Sequence, residues 1–196
     1  MGGSDEELVE ACLGGDEYAF EVLVGRWERK IHGAIYRILG SEEEARDLAQ
    51  EAFLKAYRGL RAFKREARFS SWLYQIALNL CRDQMRRRRG RTIVSLEELE
   101  EAAPGSLTQR PSALELVEAR DMCRAVATAI ADLPAEQREV IVLKEYQELT
   151  FLEIAEILDV PISTIKTRLY RGLGQLRQSL ERQGIRAAAP VPAPMA

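Results

Sequence analysis

Apolar residues recur with a helical period along most of this chain. Leu8, Cys12, Phe20, Leu23 and Val24 fit amphipathic pieces interrupted at Gly14-Gly15. Ser41 and Glu44 have the spacing of a capping box. Behind them Ala45, Leu48, Ala49, Ala52, Phe53, Ala56, Tyr57 and Leu60 recur at helical intervals and predict one long, one-sided helix. Residues 62–68, AFKREAR, read as a basic loop, and a helix follows from about Ser70 to Arg87. Another helix is predicted from about Ser112 to Ala131. Pro134 starts the next one, which turns Val140, Ile141 and Leu143 inward. Thr150 and Glu153 form a second capping-box pair ahead of FLEIAEIL. DVPI is a break, and Ser163 is expected to cap a last helix reaching about Gln183. No stretch keeps a two-residue alternation long enough for a strand. The pattern predicts an all-α chain of two small helical domains, residues 1–89 and 113–184. A flexible acidic linker at 90–112 joins them, and a disordered tail follows at 185–196.

Charge sharpens this picture. The 196 residues carry a net charge of −3, which alone argues against a nucleic-acid binder. The balance by segment is −6 over 1–60, +8 over 61–91, −5 over 92–118, −5 over 119–161 and +5 over 162–196. Two basic segments stand between acidic ones, which suggests two polyanion-contacting surfaces. No apolar run approaches the ~20 residues of a membrane span. The start, MGGSDEELVEA, lacks the features of a secretory signal, so a cytoplasmic protein is expected. Cys12, Cys81 and Cys123 are widely spaced and read as core thiols. His32 is the only histidine and has no Cys or His at metal-ligand spacing. There is no paired-carboxylate motif, nucleophile constellation or phosphate loop. No enzyme activity, cofactor, metal or small-molecule substrate is therefore expected.

The segment LTFLEIAEILDVPISTIKTRLYRGLGQLRQSL has the layout of a helix-turn-helix. Ile154, Ala155 and Leu158 point inward on the short helix, and Ile165, Leu169, Leu173 and Leu176 on the longer one. The outer face shows Thr164, Lys166, Thr167, Arg168 and Arg171 near its N-terminal end, where such helices reach base edges in the major groove. A solvated basic face on an ordinary helical hairpin is the plainer alternative.

The helix FSSWLYQIALNLCRDQMRRRR mixes chemistries. Phe69, Leu73, Ile76 and Leu80 share a core face. Gln75, Asn79, Arg82 and Arg86 form a polar stripe with Trp72 at its edge. Aromatics that stack bases, an amide that reads an unstacked edge and cations that track phosphates suit a single strand. Half-buried aromatics and a solvated helix end explain the same residues equally well.

Taken together, DLAQEAFLKAYRGLRAF, FSSWLYQIALN, LPAEQREVIVLKEY and LTFLEIAEILDVPISTIKTRLYRG occur in an order that resembles the extracytoplasmic-function sigma factors. These belong to the sigma-70 superfamily of initiation subunits of bacterial RNA polymerase, and the resemblance covers roughly residues 5–183. It implies a first domain that binds core RNA polymerase and melts the minus-ten element. It implies a second that reads the minus-thirty-five element as duplex, with the acidic linker threading the polymerase cleft. Promoter DNA and an anti-sigma factor, membrane-anchored or not, are the other implied partners. By motif, Asp47, Gln50 and Glu51 would contact polymerase. Phe63, Ala67 and Asn79 would surround a flipped base, with Trp72, Arg82 and Arg86 on the adjoining strand. Lys166, Thr167, Tyr170 and Arg171 would read bases beside Thr164, and Arg168 would hold phosphate. The loop KREAR departs from the family in being basic and lacking glycine. The competing reading is a stand-alone helix-turn-helix regulator with an N-terminal sensor or dimerisation domain.

Overall fold

The computed structural model describes residues 3–63, 68–90 and 113–185. Ala67 and its neighbours at 64–66, the linker at 91–112 and the tail at 186–196 lie outside the described residues. Among the described residues the chain is helical throughout, as the periodicity predicts, with no strand.

Helix α1 (Asp5–Leu13) opens on a complete capping box between Ser4 and Glu7. Helix α2 (Glu17–Leu39) is capped by Asp16 and stops at Gly40, whose φ of 71° satisfies the last turn in the left-handed conformation glycine tolerates. Asp5 holds α1 onto α2 by accepting from Arg26 at 2.5 Å and from the Trp27 indole N–H at 2.9 Å. Helix α3 (Glu42–Gly59) starts at Ser41, whose hydroxyl accepts the Glu44 N–H at 3.3 Å. Only this half of the expected capping box is present, because the Glu44 carboxylate turns instead to Gln84 and Arg88. A 3₁₀ turn (Leu60–Ala62) leads towards helix α4 (Phe69–Gly90).

Helices α5 (Ala113–Ala131) and α6 (Ala135–Ile141) follow, and α6 runs on into a π-helical turn (Val142–Tyr146). Helix α7 (Phe151–Leu158) has the complete Thr150–Glu153 capping box and ends on Asp159, with φ 53°. Helix α8 (Ile162–Arg182) begins earlier than expected. Pro161 occupies the cap position, and Ser163 lies inside the helix, where its carbonyl accepts the Thr167 hydroxyl. The pyrrolidine ring fixes φ near the helical value and removes an N–H that would otherwise need a partner.

Two bundles result. In the first, α2 packs on α1, α3 and α4, around Leu23, Ile31, Ile35, Ile38, Phe69 and Leu73, all fully buried. In the second, α8 packs on α5, α6 and α7, around Ile141, Leu143, Ile154 and Ile165. Helices α6 and α8 cross closely at Gly172, where an added Cβ would meet the Ile141 Cδ1 at 2.7 Å. The bundles also pack on each other, α4 against α7 and α2 against α5, α6 and the π turn, so a single apolar cluster spans both. Three side chains depart from the sequence reading. Leu173 is 38% exposed rather than inward, Tyr57 is 44% exposed, and Cys123 is exposed rather than a core thiol.

The α7 capping box makes a pH-dependent contribution. The Thr150 backbone N–H, then its hydroxyl, hold the Glu153 carboxyl below its ordinary value of 4.5. A depressed folded-state value stabilises the fold above pH 4.5, and that stabilisation is lost as the pH falls below it. Thr150→Ala should cost about 1 kcal/mol at neutral pH, as lost caps do. Urea denaturation should show the gap from wild type narrowing as the pH falls below 4.5, because the hydroxyl contact to the ionised carboxylate is then absent from both proteins.

Candidate nucleic-acid interface

Helix α4 is buried on more of its circumference than a single core face. Phe69, Leu73, Tyr74, Ala77, Leu78, Leu80 and Cys81 are all buried, and Ile76 is half-buried. Burial beside Glu139 pushes the Cys81 thiol up to about 12, so it is an inert core group.

The polar stripe of α4 is where expected along the chain, but the second bundle covers much of it. Gln75 donates to the Glu156 carbonyl at 3.1 Å. Arg82 binds Glu139 with two parallel bonds, Nε to Oε1 at 2.8 Å and Nη2 to Oε2 at 2.6 Å. Its Nη1 donates to Asn79 Oδ1 at 3.2 Å, and Asn79 is itself exposed. The Glu139 hydrogen bond raises the Arg82 guanidinium above its ordinary value, against the opposing effect of partial burial. Arg86 pairs with Asp83 on its own helix. Neighbouring contacts close the same seam. The Tyr74 hydroxyl donates to Gln147 Oε1 at 2.9 Å, Arg37 lies 4.3 Å over the Tyr146 ring, and Arg68 pairs with Glu153 at 2.8 Å.

Phe63 and Trp72 form a separate group. Their rings stack at 4.8 Å, and Phe69 meets both edge-on. Trp72 is half-buried beneath Gly59, where a Cβ would sit 3.2 Å from the indole. The structure thus joins Phe63 to Trp72 and Asn79 to Arg82. The two groups are about 10 Å apart along the helix axis.

The rest of the arginine run is not uniform. Arg88 donates to Glu44 Oε1 at 3.0 Å and to the Leu39 carbonyl at 2.9 Å, so it braces the end of α4 against α2 and α3. Arg87 is exposed.

On α3, Asp47 and Gln50 are exposed, and half-buried Glu51 pairs with Lys55 at 3.1 Å. Exposed Leu54 and Tyr57 continue this face into an apolar groove with Phe20, rimmed by Glu17 and Glu21.

At the helix-turn-helix, Lys166, Thr167, Tyr170 and Arg171 are exposed, while Thr164 and Arg168 are half-buried. Arg168 is held by Glu136 of α6 at 2.8 Å. The Thr167 hydroxyl donates to the Ser163 carbonyl at 2.9 Å. Thr164, Thr167, Arg168 and Arg171 line a cleft against Pro134 and Gln137. Among the described residues no cluster could hold a metal ion, and no helix is long and apolar enough to cross a membrane.

The inter-bundle contacts were not foreseen in the sequence. One signal was present: Val140, Ile141, Val142 and Leu143 form an unbroken apolar run, and all four are buried. A helix facing one core would carry a polar residue there.

The comparisons with known proteins fit this two-bundle layout. Residues 23–91 match the family model of Sigma-70 region 2, and residues 123–176 match that of Sigma-70 region 4. The ECF RNA polymerase sigma factor SigW of Bacillus subtilis is 37% identical over 173 residues, covering 85% of this chain and 91% of that protein. The ECF RNA polymerase sigma-E factor of Escherichia coli K12 is 33% identical over 172 residues, covering 86% and 90%. Among solved structures, CnrH, in complex with the cytosolic domain of CnrY, superposes with a TM-score of 0.68. It is 26% identical, and the match covers 92% of this chain and 99% of that one. The chain belongs to the extracytoplasmic-function (ECF) RNA polymerase sigma factors. The stand-alone regulator reading is not favoured, since it has no use for a region 2 match that takes in most of the first bundle.

The arginine run allows a direct check. Arg88→Ala should lower the denaturation free energy by about 1–2 kcal/mol, since it takes a charged donor from the Leu39 carbonyl and leaves the half-buried Glu44 carboxylate with Gln84 alone. Arg87→Ala should change it by less than about 0.5 kcal/mol, as exposed substitutions do. Equal effects would show that Arg88 is as solvated as its neighbour.

Proposed function

We propose that this chain is a non-catalytic cytoplasmic initiation factor that binds core RNA polymerase and directs it to particular promoters. The first domain, residues 1–89, engages polymerase and the melted minus-ten strand. The second, 113–184, reads the minus-thirty-five element as duplex. The observation that carries this reading is the presence, in one chain, of an acid-and-amide face on α3, an aromatic and guanidinium surface on α4 and a basic recognition helix in α8. A regulator that binds duplex alone needs only the last.

In this reading Asp47, Gln50 and Glu51 contact polymerase, and the Leu54–Tyr57 groove continues their surface. Asn79 reads an extruded base in a pocket that includes Phe63 and Ala67. Trp72, Arg82 and Arg86 hold the adjoining strand, with stacking worth ~1–3 kcal/mol per base. Thr167 offers a methyl for apolar contact with thymine, Thr164, Lys166, Tyr170 and Arg171 face the other base edges, and Arg168 holds phosphate. CnrH was solved bound to the cytosolic domain of CnrY. By analogy we assign this chain a protein partner of the same kind, an anti-sigma factor.

Run-off transcription with core polymerase on a promoter library tests the function. Start sites should appear only when the chain is added, and tight specific DNA binding by the chain alone would speak for a regulator. The Asp47→Ala, Gln50→Ala, Glu51→Ala triple variant should keep its denaturation midpoint and lose affinity for core polymerase in a competition assay. Normal competition by a folded triple variant removes that face from the polymerase contact. Arg171→Ala should flatten preference at one step of the upstream element at a cost of ~1–3 kcal/mol, whereas Arg168→Ala should weaken all sequences alike. The opposite pattern exchanges the two roles.

A further inference from the structure

The three cations of the recognition face are not alike. Among the described residues no carboxylate pairs with Lys166 or Arg171, whereas Arg168 Nη2 lies 2.8 Å from Glu136 Oε2. Glu136 belongs to the first turn of α6 and lines the same cleft as Thr164, Thr167, Arg168 and Arg171. It thus stands among side chains assigned to DNA while carrying the charge of DNA. The Arg168 side chain is 22% exposed and that of Glu136 69% exposed. Water and salt screen a pair with one partner so open to solvent, so the pair holds loosely. A phosphate presents oxygen acceptors that suit the same guanidinium.

We propose that Glu136 competes with DNA phosphate for Arg168 and so sets how strongly the recognition helix grips any duplex. When a phosphate arrives, Arg168 either leaves Glu136 or is shared between two anions. The first breaks an ion pair, and the second brings two negative groups together. Both costs are the same whatever the base sequence, because the contact is to backbone. A guanidinium neutralised by its own domain also releases fewer counterions than a free one, so the contact adds less to the salt dependence of binding. Lys166 and Arg171 have no such competitor and keep their full charge for base edges. Glu136 therefore lowers the sequence-independent part of the affinity and leaves base preference to its neighbours. The proposal rests on the phosphate role given to Arg168 above.

The test uses the full chain with core polymerase and labelled duplexes that vary over the upstream element, bound at several salt concentrations. Glu136→Gln keeps the size of the side chain and removes its charge. It should tighten binding of every duplex by about 2- to 5-fold at low salt, the range of an exposed ion pair. The slope of log affinity against log salt should steepen by up to about 0.9, the share of one phosphate contact, and the ranking of duplexes should not change. Glu136→Ala should do the same, since the effect lies in the charge. In an Arg168→Ala background Glu136→Gln should have little effect. A gain of equal size in that background would mean plain repulsion between Glu136 and DNA, which overturns the competition. A gain confined to one step of the element would make Glu136 a base contact and overturns it too. If Arg168→Ala weakens all duplexes and neither Glu136 variant tightens any, the competition is refuted while the phosphate role survives. If Arg168→Ala changes no affinity, the proposal falls together with that role.

Discussion

A carboxylate taken out of water costs several kcal/mol unless a cation and further donors meet it in good geometry. Glu139 sits almost wholly buried between the two bundles, and Arg82 supplies both of its hydrogen bonds there. This requirement fixes how the bundles sit. With Glu139 on Arg82, the adjacent residue, Arg138, reaches back to the Ile38 carbonyl at 2.6 Å while holding the Leu133 carbonyl at 2.9 Å. One guanidinium thus ties the end of α2 to the turn before α6. The apolar surface around this seam supplies most of the attraction, and the polar contacts choose its register.

The π turn after α6 matters for the same reason. An extra residue in a helical turn rotates the downstream chain and frees backbone groups that must find other partners. Here the Gln147 N–H returns to the Val142 carbonyl and the Leu149 N–H to the Leu143 carbonyl, while Glu148 adopts a φ of 55°. This turn brings the Tyr146 ring under Arg37 and the Gln147 amide to Tyr74. The segment that leads into the helix-turn-helix is therefore also the one that holds the first bundle.

Local features were legible in the sequence, and features joining distant residues were not. The one-sided stripe of α3 from Ala45 to Ala56 is core, because a single buried face leaves a clean period. Thr150 and Glu153 close their box because the Thr150 N–H and hydroxyl hold that carboxylate at short range, with Arg68 pairing it from outside. Glu44 has the same spacing from Ser41, but Arg88 and Gln84, about forty residues on, draw its side chain away. Tyr74 has no place on the single core face of Phe69, Leu73, Ile76 and Leu80, yet it is 1% exposed, since α4 is covered from two sides. Of the candidate site, the recognition helix was readable as one exposed face. The pairing of Arg82 with Glu139, 57 residues apart, leaves no mark in either local pattern.

The two candidate DNA surfaces differ in what keeps them available. On α8 the duplex-reading face needs only a rigid helix, and the close crossing at Gly172 together with buried Ile165 and Leu169 supplies it. Lys166, Tyr170 and Arg171 remain exposed even with the bundles together. A melted strand makes a different demand, because it needs cations and stacking surfaces that a compact protein tends to use for its own packing. Arg82, Arg88 and Trp72 are each used that way here. Pairing these guanidinium groups internally relieves the mutual repulsion that a surface rich in unpaired cations would carry. A surface that reads duplex needs no such cover, because the groove comes to it already formed and hydrated. The asymmetry between a covered α4 and an open α8 thus follows from the two physical states of the DNA each is assigned.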